Sequence, residues 1–297
     1  MPDPERRTIS ATEISALFGA SPYLTQWMLW QRFARGVDLA APPNSRMLWG
    51  RKLQPLIIEQ AAADLRLEVV PNADDTYHRR GLLGCTRDAT IICPDRGPGA
   101  LETKCVFDYR DFMADWRGGR AVPRHHELQL QQQMLVGDDE PYQWGVIVAW
   151  VAGDLHYFER APIPELWTEL ETAAAAFFDD VRAGREPDPF GAPIEVPWLA
   201  KLLPAVKGKV IDLSAEPEAE RHAEAARLYR LARDQENGCA REAEMLRAQL
   251  LALAKDAEEV VLPGGIRLRI GGNEKSKRLT VYVPDSPASP ADLLMAG

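Results

Sequence analysis

The sequence predicts a mixed α/β domain followed by a helical extension and a small β-ribbon. Three observations carry this. Helix-period apolar patterns occupy residues 8–66, β-branched and apolar runs punctuated by Gly and Pro follow, and helix and hairpin patterns then alternate to residue 183. An order of helices, strands, helix, two strands and helix is that of one mixed α/β unit.

The elements follow in order. "SATEISALF" opens on a candidate cap at Ser10 and sets Ile14, Leu17 and Phe18 on one helix face. "GASPY" interrupts, and "LTQWMLWQRFARG" resumes a helix that ends on Gly36. A longer helix fits residues 45–66, with Pro55 as a kink or a helix start. "LEVVP", "DTYHR", "LLGCTRDATIICP" and "GALETKCVF" read as strands. A short helix near 108–116 and a stronger one over 124–136 come next. "YQWGVIVAWV" and "DLHYFERA" form a hairpin around "AGD", and residues 164–183 a closing helix. The Pro/Gly-rich "GREPDPFGAP" marks a boundary. The expected organisation is a domain over 1–183, a linker over 184–197, an extension over 198–284 and a loose tail over 285–297. Within the extension, residues 215–258 read as one long helix or a helical hairpin broken at Gly238. "VVLPGGIRLRIGGNEKSKRLTVYV" reads as a terminal β-ribbon.

The bulk numbers narrow the function. The chain has 297 residues, 46% hydrophobic and 27% charged, which is ordinary for a globular core. No apolar run is long enough to span a bilayer, and "MPDPERRTIS" lacks the apolar stretch of a signal peptide, so a cytoplasmic protein is expected, with no membrane partner. The four cysteines, Cys85, Cys93, Cys105 and Cys239, form no C-x-x-C pair, which argues against a zinc or iron–sulfur site. A net charge of −9 does not announce nucleic acid, but local sign governs a cleft. Basic residues gather at Arg46, Arg51 and Lys52, at Arg79, Arg80 and Arg87, and from Arg110 to Arg124. Trp27, Trp30, Trp49, Tyr109 and Trp116 are either core residues or stacking surfaces for unpaired bases.

The stretch "GCTRDATIICPDRGPGALETKC" carries the chemistry. Alternation along a strand projects Glu102 and Lys104 to one side and Thr103 to the other. If "PDRGPGA" is a turn, the strand holding Asp88 lies antiparallel beside them. Two carboxylates and an ammonium on one face suit a hard divalent cation that keeps open positions for a phosphate oxygen. Lys104 could then orient or help deprotonate the attacking water, or stabilise the transition state. Strand-face salt bridging is the commoner reason for such a trio.

The neighbouring motifs sharpen the reading. "ISATEISALFGASPYLT", "RMLWGRKLQPLIIEQAAAD", "GCTRDATI", "LETKCVFDYRDFMADWRGG" and "ELQLQQQML", in this order, resemble the lambda exonuclease or YqaJ viral-recombinase family of PD-(D/E)XK nucleases. The resemblance spans residues 6–183. It implies a restriction-endonuclease-like mixed sheet flanked by helices, and a Mg2+- (or Mn2+-) dependent exonuclease that hydrolyses phosphodiester bonds from the ends of linear duplex DNA in phage-type recombination. A single-strand annealing partner, a ring trimer and a bacterial or phage-infected host cell are further implications.

By motif, Asp88 and Glu102 match the metal-binding carboxylates, the Thr103 carbonyl a further metal ligand and Lys104 the catalytic lysine. Gln129 and Gln131 fall where the family places an active-site glutamine, Gln129 being favoured. Arg6 or Arg7, with Ser10 and Thr12, fall where relatives hold a DNA-end phosphate. One departure stands out. The family's W-G-x-x-x-E helix motif has Gln54 at its acidic place. Glu59, about 140° further round an ideal helix, is a candidate substitute if Pro55 bends the chain. Gln54 therefore keeps a second reading open, a DNA-end-binding recombination scaffold whose nuclease activity is weakened or lost.

Overall fold

The computed structural model describes residues 8–203, apart from 38, 40–42 and 73–75; beyond 203 it describes scattered positions and three strands. The chain opens with a two-residue strand, β1 (Ile9–Ser10), and a single turn, α1 (Ile14–Leu17). Ser10 is thus a strand residue and not a helix cap. The Glu13 carboxylate takes its backbone N–H at 3.1 Å and its hydroxyl at 2.6 Å. Helix α2 (Gln26–Arg35) starts where the Thr25 hydroxyl accepts the Met28 N–H, and stops at Gly36, which takes a left-handed φ of 64°.

Helix α3 (Ser45–Leu65) runs through Pro55 without a break. Its second half buries Ile57, Ile58 and Ala61, while Met47, Leu48, Trp49 and Leu56 stay exposed. Strands β2 (Glu68–Pro71), β3 (His78–Arg80), β4 (Leu83–Cys85), β5 (Ala89–Cys93) and β6 (Gly97–Val106) follow. Then come α4 (Tyr109–Asp115), α5 (Arg124–Val136), β7 (Gly145–Val151), β8 (Asp154–Arg160) and α6 (Pro164–Ala183).

The main sheet has the order β2-β5-β6-β7-β8, with β6 and β7 parallel and the other pairs antiparallel. A smaller sheet has the order β1-β4-β3. Alternation along β7 sorts the core: Val146 and Val148 pack with Ile57, Ile58 and Ala61 of α3, whereas Ile147, Ala149 and Val151 pack with Leu130 and Met134 of α5. A third cluster joins α1, α2 and α6 to the outer side of α5 through Ile14, Trp27, Leu128, Leu170 and Phe177. This is a mixed sheet flanked by helices.

The boundary differs from the expected one. Two compact units cover residues 1–206 and 207–297. Residues 184–197, expected as a linker, pack on the first unit. The Glu186 carboxylate accepts from the Trp27 indole at 2.9 Å and the Gln31 amide at 2.6 Å. Glu195, fully buried, accepts from the Thr25 hydroxyl at 2.6 Å and from the backbone N–H groups of Phe190, Gly191 and Ala192. Such carboxylates require donors, and helix α2 and its cap supply them. Helix α7 (Val196–Leu202) adds Trp198 to the same core.

In the second unit, β9 (Glu259–Val261), β10 (Arg267–Asn273) and β11 (Ser276–Tyr282) form an antiparallel sheet of order β11-β10-β9, as the ribbon reading expects. The helical reading of 215–258 falls mostly, and the tail of 285–297 wholly, outside the described residues.

Close approach fixes Gly99 in β6: a Cβ there would meet the Trp144 indole at 2.6 Å. Gly99→Ala is expected to destabilise the protein by about 1–3 kcal/mol, the range for overpacking, as read by denaturant unfolding. Unchanged stability would show that Trp144 can move aside.

Candidate active site

The register of the sheet assembles the site. Ala89 pairs with Leu101 across β5 and β6, and the same antiparallel register continued by one residue sets Asp88 opposite Glu102. Glu102 and Lys104 share the sheet face that α5 covers. On α5, Gln129 and Gln133 are four residues apart and so lie on one helix face.

These side chains form two adjoining hydrogen-bonded sets, one round Glu102 and one round Asp88. Glu102 is buried, at 4% exposure. Its Oε1 accepts from Lys104 Nζ at 2.5 Å and from Gln129 Nε2 at 2.7 Å, and its Oε2 accepts from Gln133 Nε2 at 2.6 Å. Lys104 Nζ also donates to Gln129 Oε1 at 3.0 Å. Asp88 Oδ2 accepts from the Thr103 backbone N–H at 2.7 Å and from its hydroxyl at 2.6 Å; Oδ1 accepts from Gln54 Nε2 at 3.0 Å. Burial, then the charge of Glu102, pushes the Asp88 carboxyl up to about 7, against the opposing pull of Lys104 and the Thr103 bonds.

A second buried cation anchors the group. Arg87 is 2% exposed, donates to the Gly137 carbonyl at 2.7 Å and ion-pairs with Asp138. It thereby ties the residue before Asp88 to the end of α5. The sequence reading placed Arg87 in a basic cluster; its charge is instead spent inside the protein. Arg46 and Arg110 pair with Asp111 and Asp108, so the basic clusters are partly answered by acids of α4 and its cap.

The other sequence candidates divide. Gln54 touches Asp88, whereas Glu59 is exposed, because α3 continues through Pro55 and keeps Glu59 on the solvent side. Gln131 is not part of the group. It lies about 200° round the helix from Gln129. Its amide donates to the Ala161 carbonyl, and its oxygen accepts from the Ile163 N–H and the Trp167 indole, securing the start of α6. Ser10 and Thr12 hydrogen-bond to each other at 3.2 Å, and Ser10 to Glu13. Arg6 and Arg7 lie outside the described residues. Trp27, Trp30 and Trp116 are buried, while Trp49 and Tyr109 are exposed.

Sequence reasoning missed Gln133, although its i, i+4 relation to Gln129 was a usable signal. Two histidines stand at the start of α5, close enough to feel Lys104. Burial and then the Lys104 charge push both His125 and His126 below the ordinary imidazole range, His126 well below. His126 Nδ1 is buried without a hydrogen-bond partner. Among the described residues, no group of three or more His, Cys, Asp or Glu side chains is gathered to hold a metal ion. The acidic part of this site is the pair Asp88 and Glu102.

The mixed sheet brings an aspartate, a Glu-x-Lys pair and a helix glutamine to one region, as the motif resemblance implies. Residues 5–140 match the model of the YqaJ-like viral recombinase domain, the family that the ordered motifs resemble. No curated protein matches the chain. Among solved structures, an alkaline exonuclease (LHK-Exo) from Laribacter hongkongensis is similar at 18% identity and a TM-score of 0.47, covering 66% of this chain and 94% of that one. A phage-related exonuclease from Haemophilus somnus 129PT is similar at 15% identity and a TM-score of 0.46, covering 60% and 96%. No helix among the described residues is long and apolar enough to cross a membrane.

Gln54→Glu replaces a donor to Asp88 by a like charge. It is expected to lower stability in EDTA by about 1–3 kcal/mol, the cost of stripping a buried acceptor of its donor. Chemical denaturation of both proteins in EDTA checks this; equal midpoints would remove the Gln54–Asp88 bond from the account.

Proposed function

We propose that this chain is a divalent-cation-dependent deoxyribonuclease that hydrolyses phosphodiester bonds from the ends of linear duplex DNA in phage-type recombination. The observation that carries the reading is the convergence of Asp88, Glu102, Lys104 and Gln129 at adjoining strands and one helix face. A buried salt bridge alone would need Lys104 and Glu102. It would not need a second carboxylate on the neighbouring strand, whose pKa is raised by burial first and by the charge of Glu102 second.

The donor set fits Mg2+ or Mn2+. Mg2+ takes one or two carboxylates and fills its remaining positions with water and substrate phosphate. Asp88 and Glu102, with the Thr103 carbonyl, would hold it, and the strain between the two carboxylates is what a cation relieves. When bound, the cation supplies charge neutralisation at the phosphate and an acidified water. Lys104, held as an ammonium by Glu102 and Gln129, would orient the attacking water; only a neutral amine could take up its proton. The same ammonium can stand against charge developing on the phosphoryl oxygens. Gln129 and Gln133 fix the carboxylate of Glu102, and Gln54 does the same for Asp88. A ring trimer and a single-strand annealing partner are consistent with the family resemblance and belong to this proposal.

Gln54, sitting on Asp88 where the motif usually carries an acid, favours a second reading: a DNA-end-binding scaffold with little or no hydrolysis. End-labelled linear DNA and closed circular DNA, each incubated with the protein and Mg2+, separate the two. Stepwise loss of the linear substrate with the circle intact is expected. Retained end binding without digestion would sink the nuclease reading.

Lys104→Ala is expected to lose at least about a hundredfold in cleavage rate, in line with general acid–base contributions, and to keep DNA-end binding. Cleavage at the wild-type rate would take Lys104 out of the mechanism. Asp88→Ala is expected to weaken Mn2+ binding, measured calorimetrically in the absence of DNA. Unaltered affinity would contradict its assignment as a ligand.

A further inference from the structure

We propose that Tyr23 and His125 form a stacking subsite for a nucleobase at the mouth of the candidate active site. The subsite rests on the nuclease reading and extends it, because it assigns residues that hold the nucleotide beside the bond that is cut.

Tyr23 is 71% exposed, yet it is not a loose side chain. The Ser21 hydroxyl accepts the backbone N–H groups of Tyr23 at 3.2 Å and of Leu24 at 3.1 Å, forming a tight turn. Leu24 is buried in the core beside it. The turn therefore presents the phenol ring to solvent from a fixed base. The ring meets His125 edge to face, with centroids 6.1 Å apart and planes at 86°.

His125 places this pair at the site. It stands four residues before Gln129 on α5, just over one helical turn, or about 6 Å, further out on the same face. Gln129 in turn bonds both Lys104 and Glu102. The face of α5 thus reads outward as Gln133, Gln129 and His125: two amides on the catalytic carboxylate, then an aromatic ring at the rim.

The rim is backed by further rings. His125 lies 3.9 Å from His126, centroid to centroid; His126 lies 5.5 Å from Trp116, and Trp116 lies 5.3 Å from Phe158. Trp116 and Phe158 are buried. A series of tilted ring contacts anchored in the core supports a base laid against its outer end. Burial and Lys104 favour the neutral form of both imidazoles, which suits a base face better than a phosphate. A phosphate would be better served by a charged side chain. Every base offers a π-face, so this subsite grips an end without reading its sequence.

The test pairs a variant with a matching change in the DNA. End-labelled duplexes carry either a normal nucleotide or an abasic residue at each of the first three positions in turn. On normal DNA, Tyr23→Ala is expected to lower kcat/KM about 5- to 150-fold, the range found for a base stacked on one ring, with most of the change in KM. Tyr23→Phe keeps the ring and is expected to stay within about twofold of wild type. At one abasic position the wild-type protein falls to the level of Tyr23→Ala, and the substitution then has no further effect. An equal loss on normal and on every abasic substrate, or no loss on any, overturns the subsite while leaving the nuclease reading intact. If the wild-type protein cuts no DNA at all, it is the nuclease reading that fails. Anisotropy of labelled ends with the same substrates then decides the subsite by the same comparison. His125→Ala, measured alongside, is expected to match Tyr23→Ala in its dependence on the base. A loss on abasic ends as large as on normal ones would remove His125 from the subsite.

Discussion

A carboxylate taken out of water has to be met by donors, and meeting Glu102 organises this fold. Lys104, Gln129 and Gln133 all converge on its two oxygens. That demand fixes the rotation of α5 about its axis and its height over β6. It also decides which residues of α5 remain for packing: Leu130 and Met134 fall to the sheet, Leu128 and Leu135 to the outer helices. Arg87 completes the constraint from the other end by gripping the Gly137 carbonyl, so the helix is held both at its middle and at its terminus. Buried polar groups of this kind are costly when half satisfied and specifying when fully satisfied.

The neighbouring carboxylate is treated differently. Asp88 gets neutral donors only, two from Thr103 and one from Gln54, and faces Glu102 across the strand pair. An amide at position 54 can bond to Asp88 without adding to the negative charge. A glutamate there would have to share a cation or repel. In this chain an amide hydrogen bond from Gln54 stands where an acid would add a third negative charge, so two carboxylates, and not three, belong to the candidate site.

Most of the fold was legible because periodicity and punctuation agree over 8–183. Thr25, Gly36, Pro164 and Gly184 bound helices as their residue types suggest. The antiparallel placement of Asp88 beside Glu102 could be read from a Gly/Pro turn between two apolar runs. What escaped was set by partners far away in sequence. Glu186 and Glu195 bind a Pro-rich segment to α2 across more than 150 residues, and no local pattern announces that. Ser10 looked like a cap because Ser precedes a helical run, but pairing with β4 claimed its backbone. Glu59 was the natural stand-in for a missing acid only if Pro55 bent α3, and the helix absorbs that proline. Gln131 and Gln133 are equivalent in composition, and only their angle round α5 separates a brace for α6 from a neighbour of Glu102.

The course of α3 has a mechanical implication. Its C-terminal half is clamped to the sheet through Ile57, Ile58 and Ala61, while in its N-terminal half Met47, Leu48 and Trp49 are about half exposed and Arg46 reaches Asp111 of α4 through an exposed ion pair. Proline at position 55 cannot donate to the preceding turn, so the junction between the buried and the exposed halves is also the turn with a missing internal tie. Gln54 occupies that junction and holds Asp88. The turn of α3 that lacks an internal bond therefore lies beside a carboxylate of the candidate active site, so bending of the exposed half would be felt there first.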